Sequence, residues 1–327
     1  MAESSELIQT FDNRVTRRDA RREFFRAALG VGAFAVGGAA ALNFSTGASA
    51  QAAVTDADIL NFALNLEYLE AQFYSYAFSG SGLPADILTG TGTQGAVTTG
   101  TGAGSARAVN FSDPIVRQYA REITADEAAH VRFLRTALGT AAVAQPAINI
   151  SGDANGPFTA AARAAGLVSG TQIFDPYAND INFLLGAFIF EDVGVTAYKG
   201  ASPLITNNTF LDAAAGILSA EAFHAGIIRS ALYAREAQVP SLRSQTEAIS
   251  DARDSLDGPS NLDQGVNPLT INSIIYANIA PTDTNGIALS RTAAQVLNIV
   301  YLNRAAVTMG GFFPAGVNGT IRASAAN

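Results

Sequence analysis

Apolar residues recur at helical spacing in four long segments, and capping chemistry marks where each begins and ends. The first runs from about Asp56 to Phe78. Thr55, with Asp58 three residues on, forms a capping-box pair ahead of it, and Ser79-Gly80 supplies the stop. The second starts at Asp113-Pro114, an acidic cap followed by proline at the first helical position, and stops at Gly139. The third, Asp180 to Gly200, is apolar almost all round through Phe183-Leu184-Leu185-Gly186-Ala187-Phe188-Ile189-Phe190, which predicts burial on most sides. Its length and its acidic far end argue against a membrane span. The fourth runs from about Thr209 to Ala237, with Asn208 as cap and Pro240 beyond its end. Four such helices with long connections describe an all-α four-helix bundle over residues 51–240.

The connections carry little core material. Gly80 to Gly104 is a Gly/Thr/Ser-rich tract that reads as a crossover loop, and residues 140–176 are punctuated by Ala, Gly and Pro, with one short helix around Thr159 to Ala165. Beyond Pro240 the chain becomes turn-rich. One more amphipathic helix is readable there, opened by Ser290-Arg291-Thr292, with Val296, Leu297, Ile299, Val300 and Leu302 on its apolar face. Gly310-Gly311-Phe312-Phe313-Pro314 follows as a loop whose aromatic pair packs onto the bundle. Residues 241–327 thus read as a C-terminal extension with a fifth helix, packed on the bundle because one helix buries no core alone.

Composition narrows the functional classes. The 327 residues are 48% hydrophobic and 15% charged, enough apolar material for a sizeable core. A net charge of −8 with 20 scattered basic residues offers no stripe for a phosphate backbone, so nucleic acid is not an expected partner. With no cysteine, any metal must be held by oxygen and imidazole nitrogen. Residues 1–50 read as an export signal: Arg21-Arg22-Glu23-Phe24-Phe25-Arg26 resembles a twin-arginine signature, a mildly apolar run follows from Ala27 to Leu42, and Ala48-Ser49-Ala50 fits signal-peptidase cleavage after Ala50. The mature chain is then expected in the periplasm or outside the cell, with no stable membrane span. Twin-arginine export carries proteins already folded, so a metal site would be filled before export.

The chain has two histidines, and each has a glutamate three positions before it: Glu127-Ala128-Ala129-His130 and Glu221-Ala222-Phe223-His224. With 11 glutamates in the chain, chance would place both pairs in about one sequence in a thousand. On a helix, i and i+3 share a face, so a carboxylate and an imidazole reach the same ion or adjacent ions. The other two helices carry Glu67 and Glu191, each followed seven residues later by a tyrosine, Tyr74 and Tyr198. The chain therefore reads Glu, Glu-x-x-His, Glu, Glu-x-x-His, an internal repeat with pseudo-twofold character. This matches the ligand set of di-iron and di-manganese bundles, with Glu67, Glu127, His130, Glu191, Glu221 and His224 as ligands. Glu70 lies on nearly the same face as Glu67 and is an alternative ligand. Asp126 and Asp192, adjacent to ligands but rotated ~100° from them, read as solvated or salt-bridging. Arg132 and Arg135 read as lining an exposed face.

On these motifs the sequence resembles the ferritin-like superfamily. It resembles more closely the exported desiccation-related, ferritin-like-domain proteins, through Leu60-Asn61-Phe62-Ala63-Leu64-Asn65-Leu66-Glu67-Tyr68-Leu69-Glu70-Ala71, Ser290-Arg291-Thr292 before Gln295-Val296-Leu297, and Gly311-Phe312-Phe313-Pro314. The resemblance covers most of residues 55–317. It implies that the Glu and Glu-x-x-His residues hold two Fe or two Mn ions, and that Tyr74 and Tyr198 bond to ligands. The function expected is redox chemistry with peroxide or oxygen, or Fe(II) oxidation, in protection against desiccation or oxidative stress. The alternative is a non-enzymatic structural or desiccation-protective protein with a structural or vestigial metal site. The partner expected is a small molecule (peroxide, oxygen or Fe(II)), and a homo-oligomer is compatible with either reading.

Overall fold

The structure is a computed structural model and describes residues 54–327; the export signal expected over 1–50 and its cleavage site lie outside the described residues. The long helices begin and end on their own caps. Helix α1 (Asp56–Ser79) opens on the Thr55/Asp58 capping box and closes at Gly80, whose φ of 77° is the left-handed conformation glycine adopts without strain. Helix α2 (Pro114–Leu138) is capped by Asp113, which accepts from the Ile115 N–H at 2.8 Å. The expected short helix is α3 (Pro157–Ala164). Helix α4 (Asp180–Ala201) starts at Asn179, and α5 (Asn208–Arg235) at Asn207, one residue before the cap expected at Asn208; Asn207 Oδ1 accepts from both Thr209 and Phe210 N–H groups.

Helix α1 packs chiefly on α2 and α4 chiefly on α5, and the two pairs close on each other through α1 against α4 and α2 against α5. The all-α four-helix bundle is therefore the fold. Its core is aromatic around Phe73, whose ring lies 5.2 Å from Phe158 and 5.9 Å from Phe183, centroid to centroid. The two long connections are tied together by a two-residue parallel ladder, β1 (Val97–Thr98) with β2 (Ile148–Asn149). Helix α4 with the turn after it, and α5, are each long and apolar enough to cross a membrane, which corrects the reading of the third segment as too short. In the fold, 83% of the apolar window of α4 is buried inside the protein. Helix α5 turns Glu221 and His224 into the bundle.

The C-terminal region holds two helices where the sequence suggests one. Besides α7 (Ala293–Val300) there is α6 (Leu242–Asp257), followed by an exposed hairpin of β3 (Leu269–Ile271) and β4 (Ile274–Tyr276). The buried stripe of α6 is Leu242, Thr246, Ile249, Arg253 and Asp257, at correct helical spacing but mostly polar, so hydrophobic periodicity passes over it. Those polar groups belong to a buried ionic network. Arg229 donates to Asp192 Oδ2 at 2.7 Å and to the carbonyls of Gln264, Gly265, Asn278 and Ile279. Arg253 bridges Asp192 and Asp263, and Arg291 bridges Asp257 and Asp263. Asp192 is thus salt-bridging. Arg229→Ala leaves Asp192 to Arg253 alone and four carbonyls without their donor, and should cost about 3 kcal/mol in urea unfolding.

Candidate metal centre

Glu67 on α1, Glu127 and His130 on α2, Glu191 on α4, and Glu221 and His224 on α5 converge inside the bundle. One donor atom each from Glu67, Glu127, His130 and Glu221 lies within 4.8 Å of the others, and the same is true of Glu127, Glu191 and His224. Glu127 belongs to both groups and so stands between them. His130 Nδ1 is 3.2 Å from Glu67, 3.6 Å from Glu221 and 3.7 Å from Glu127. His224 Nδ1 is 3.0 Å from Glu127 and 3.7 Å from Glu191. All four carboxylates are at most 1% exposed. Glu70 is buried one turn from Glu67 but belongs to neither group.

This arrangement fits a metal on its hydrogen-bond bookkeeping alone. Both oxygens of Glu127 and of Glu221, one oxygen of Glu191 and Nδ1 of His224 are buried without an aligned hydrogen-bond partner. Each such group costs about 1–3 kcal/mol, more when charged, and a cation is the usual remedy. Carboxylate oxygens with imidazole nitrogens suit iron and manganese among the redox metals. Without a cation the cluster takes up protons instead. Burial and the repulsion of Glu127 push the Glu67 carboxyl up to about 7, burial pushes Glu191 up to about 8, and burial raises Glu70 and Glu221 well above the usual carboxylate range. Burial acts on Glu127 in the same direction, but the imidazoles of His130 and His224 prevail and hold it down to about 2. Burial opposes charging of the imidazoles, yet the carboxylates around them raise His130 to about 11 and His224 to about 9.

Around this cluster the Glu-x6-Tyr repeat works across the bundle. The buried Tyr74 hydroxyl donates to Glu191 and that of Tyr198 to Glu67, so each tyrosine holds the glutamate of the other helix. Tyr198→Phe frees Glu67 to rotate and should weaken metal binding about 10- to 100-fold in a competitive chelator titration, with the helix content unchanged.

Two contributions escape sequence reading: the partner of Asp126, which reads as solvated or salt-bridging, and the place of Gly194. Asp126, half-exposed, lies 3.2 Å from His224 Nε2, which leaves Nδ1 of that ring facing the carboxylates. The contact joins α2 to α5, so no spacing within one helix shows it. Gly194 is the other. A Cβ there would stand 2.4 Å from Glu221 Oε2 and 3.4 Å from Glu70 Oε1, so a larger residue would push the Glu221 carboxylate from its place. The repeat itself holds the signal: Gly194 follows Glu191 by three residues as Glu70 follows Glu67, and Ala220 precedes Glu221 where Asp126 precedes Glu127. The two halves of the site are therefore unequal. Arg135, read as exposed, is half-buried and donates to the Tyr68 hydroxyl at 2.7 Å, whereas Arg132 is exposed as expected.

A helical bundle with a glutamate on each of two helices and Glu-x-x-His on each of the other two defines a ferritin-like protein. The ferritin-like domain family matches residues 55–234, more than half of the chain, and the chain belongs to that family. Among its relatives, the desiccation-related protein PCC13-62 of Craterostigma plantagineum is 31% identical over 251 residues, 74% of this chain and 76% of that one. The ferritin-like catalase Nec2 of Nesocodon mauritianus is 28% identical over 274 residues, 81% of this chain and 84% of that one. No solved structure matches the chain.

Proposed function

We propose that this chain is an exported protein that holds two iron or two manganese ions and consumes hydrogen peroxide. The observation that carries the reading is the pair of donor groups sharing Glu127, whose buried oxygens have no hydrogen-bond partner. Glu67, Glu127, His130 and Glu221 would hold one ion, and Glu127, Glu191 and His224 the other. Bound there, a redox-active pair would supply the two-electron exchange by which 2 H2O2 become 2 H2O and O2. The name of the relative called a ferritin-like catalase supports this reaction over Fe(II) oxidation.

The chain's own residues prepare the site. Tyr74 and Tyr198 orient Glu191 and Glu67 through their hydroxyl protons, and Asp126 fixes His224 with Nδ1 inward. Glu70 lies buried beside the ligands, and burial raises its carboxyl well above the usual carboxylate range. The apolar bundle keeps bulk water away from these groups, which strengthens each electrostatic contact among them.

Elemental analysis of the purified protein tests the reading directly. Two equivalents of Fe or Mn per chain and measurable peroxide loss are expected; no bound metal, even after reconstitution, would overturn it. The relative named a desiccation-related protein favours a second reading, a protective protein whose metal is structural. That reading predicts full metal content with raised thermal stability and no peroxide consumption.

A further inference from the structure

The β3–β4 hairpin is well made at its turn and its feet, yet unsupported along its strands. Its two-residue turn, Asn272-Ser273, has φ of 50° and 66°, the left-handed pair of a type I′ turn, whose twist suits a hairpin. Both feet are clamped to α5: Arg229 donates to the carbonyls of Gln264 and Gly265 before β3, and of Asn278 and Ile279 after β4. All six strand residues are nonetheless exposed. The pairing of Leu269 with Tyr276 and of Ile271 with Ile274 puts four large apolar side chains on one face, each 44–57% exposed. A two-stranded hairpin is marginal in water by itself, and an apolar face of this kind marks a surface that something covers.

The surface that fits this face lies on the same molecule. A groove of about 670 Å3 runs between α2 and α5, lined by Ile115 and Tyr119 on one side and by Ala222, Phe223, Ile227 and Ala234 on the other. Phe223 is 71% exposed. Ile279, three residues past β4, forms part of the groove, so the hairpin starts within about 10 Å of it. The patch is also neutral on a chain of net charge −8. Every exposed residue of α5 from Ala215 to Ala234 is uncharged, the hairpin carries no charge, and Asp113 and Arg235 at the end of the groove pair with each other. Two acidic copies meet with least repulsion on such a face. A lipid surface is a poorer occupant: it favours Lys and Arg around an apolar face, and the one Arg in this lining is already paired. Thirteen residues line the groove and eight span the hairpin, together within the ~20–30 residues a side of a stable interface.

We propose that this chain forms a twofold dimer in which the β3–β4 hairpin of each copy lies in the α2/α5 groove of the other. The face formed by Leu269, Ile271, Ile274 and Tyr276 covers Phe223 and its neighbours, and because the exchange is reciprocal the contact closes on two copies. The dimer needs no metal. Sedimentation velocity of the purified chain, from about 1 to about 100 μM, should show a dimer of micromolar affinity or tighter. Phe223→Glu and Ile274→Lys should each leave a monomer, weakening association at least about 100-fold. Far-UV circular dichroism should stay unchanged in both, because both side chains are exposed in the fold. An equimolar mixture of the two variants should recover a dimer, since one of its two contacts pairs the introduced carboxylate with the introduced ammonium and the other is unaltered. An unaltered chain that is monomeric at about 100 μM, a dimer that survives either substitution, or a mixture that stays monomeric overturns the proposal. So does a monomer that floats with phosphatidylcholine vesicles, which would give the patch to a membrane.

Discussion

Removing the metal is expected to reverse the pH dependence of stability: chelated protein should melt lower as the pH rises from about 5 to about 8, while loaded protein should not. The reason is the protons that the empty cluster must hold. Glu67 and Glu191 titrate near 7 and 8 in the fold against an ordinary value of 4.5, and Glu70 and Glu221 are raised as well. Above pH 4.5 the unfolded chain releases protons that the native cluster keeps, so stability falls until the native groups have titrated in turn. His130 and His224, raised to about 11 and 9 from 6.5, stabilise the fold below 6.5, and this contribution is lost as the pH climbs through those values. Glu127 acts the opposite way, but between about 2 and 4.5, below the range of interest. Each raised carboxylate is worth on the order of a few kcal/mol, not additive because the groups interact. A bound cation displaces these protons and is held more tightly as the pH rises. Melting curves with chelator and with Fe or Mn, taken across this range, check the prediction. Parallel slopes in the two series would remove the metal from the account.

His224→Ala and His130→Ala should each abolish peroxide consumption and leave helix content by circular dichroism close to that of the unaltered chain, since only one buried ring is lost from a core built elsewhere. Their metal contents should differ from the unaltered chain by about one equivalent, because each histidine belongs to one donor group only. The two ions should not be held equally tightly. His224 has the carboxylate of Asp126 behind it, whereas the corresponding place for His130 is Ala220, so the half of the site containing His224 should be the tighter one. Metal analysis during stepwise chelation reads this as two release steps in the unaltered chain. Undiminished peroxide consumption in both variants would sink the enzyme reading.

The legible parts of this chain were those in which polarity and structure agree. Helix α1 announces itself by apolar spacing and a capping box, and both appear in the fold. Helix α6 does not, because its inward face carries Thr246, Arg253 and Asp257, whose burial is tolerable only with partners brought from α4, from Arg291 and from the segment around Asp263 and Val266. Four residues of the candidate centre were readable from i, i+3 spacing, which needs no tertiary knowledge, and Glu67 and Glu191 from the shared tyrosine seven residues on. Asp126 and Gly194 were not, since each acts on a residue of another helix.

By itself, the sequence determined the four helices, their ends, and which carboxylates and imidazoles share a face, because these follow from local periodicity and capping along one segment. It also favoured Glu67 over Glu70, on the tyrosine seven residues further on, with Glu70 kept as the alternative. Only the tertiary structure decided that Glu67 joins the donor cluster while Glu70 stays outside it, and that the tyrosines cross between helix pairs. Such choices depend on distances between segments far apart in the chain, which packing sets and local periodicity does not record.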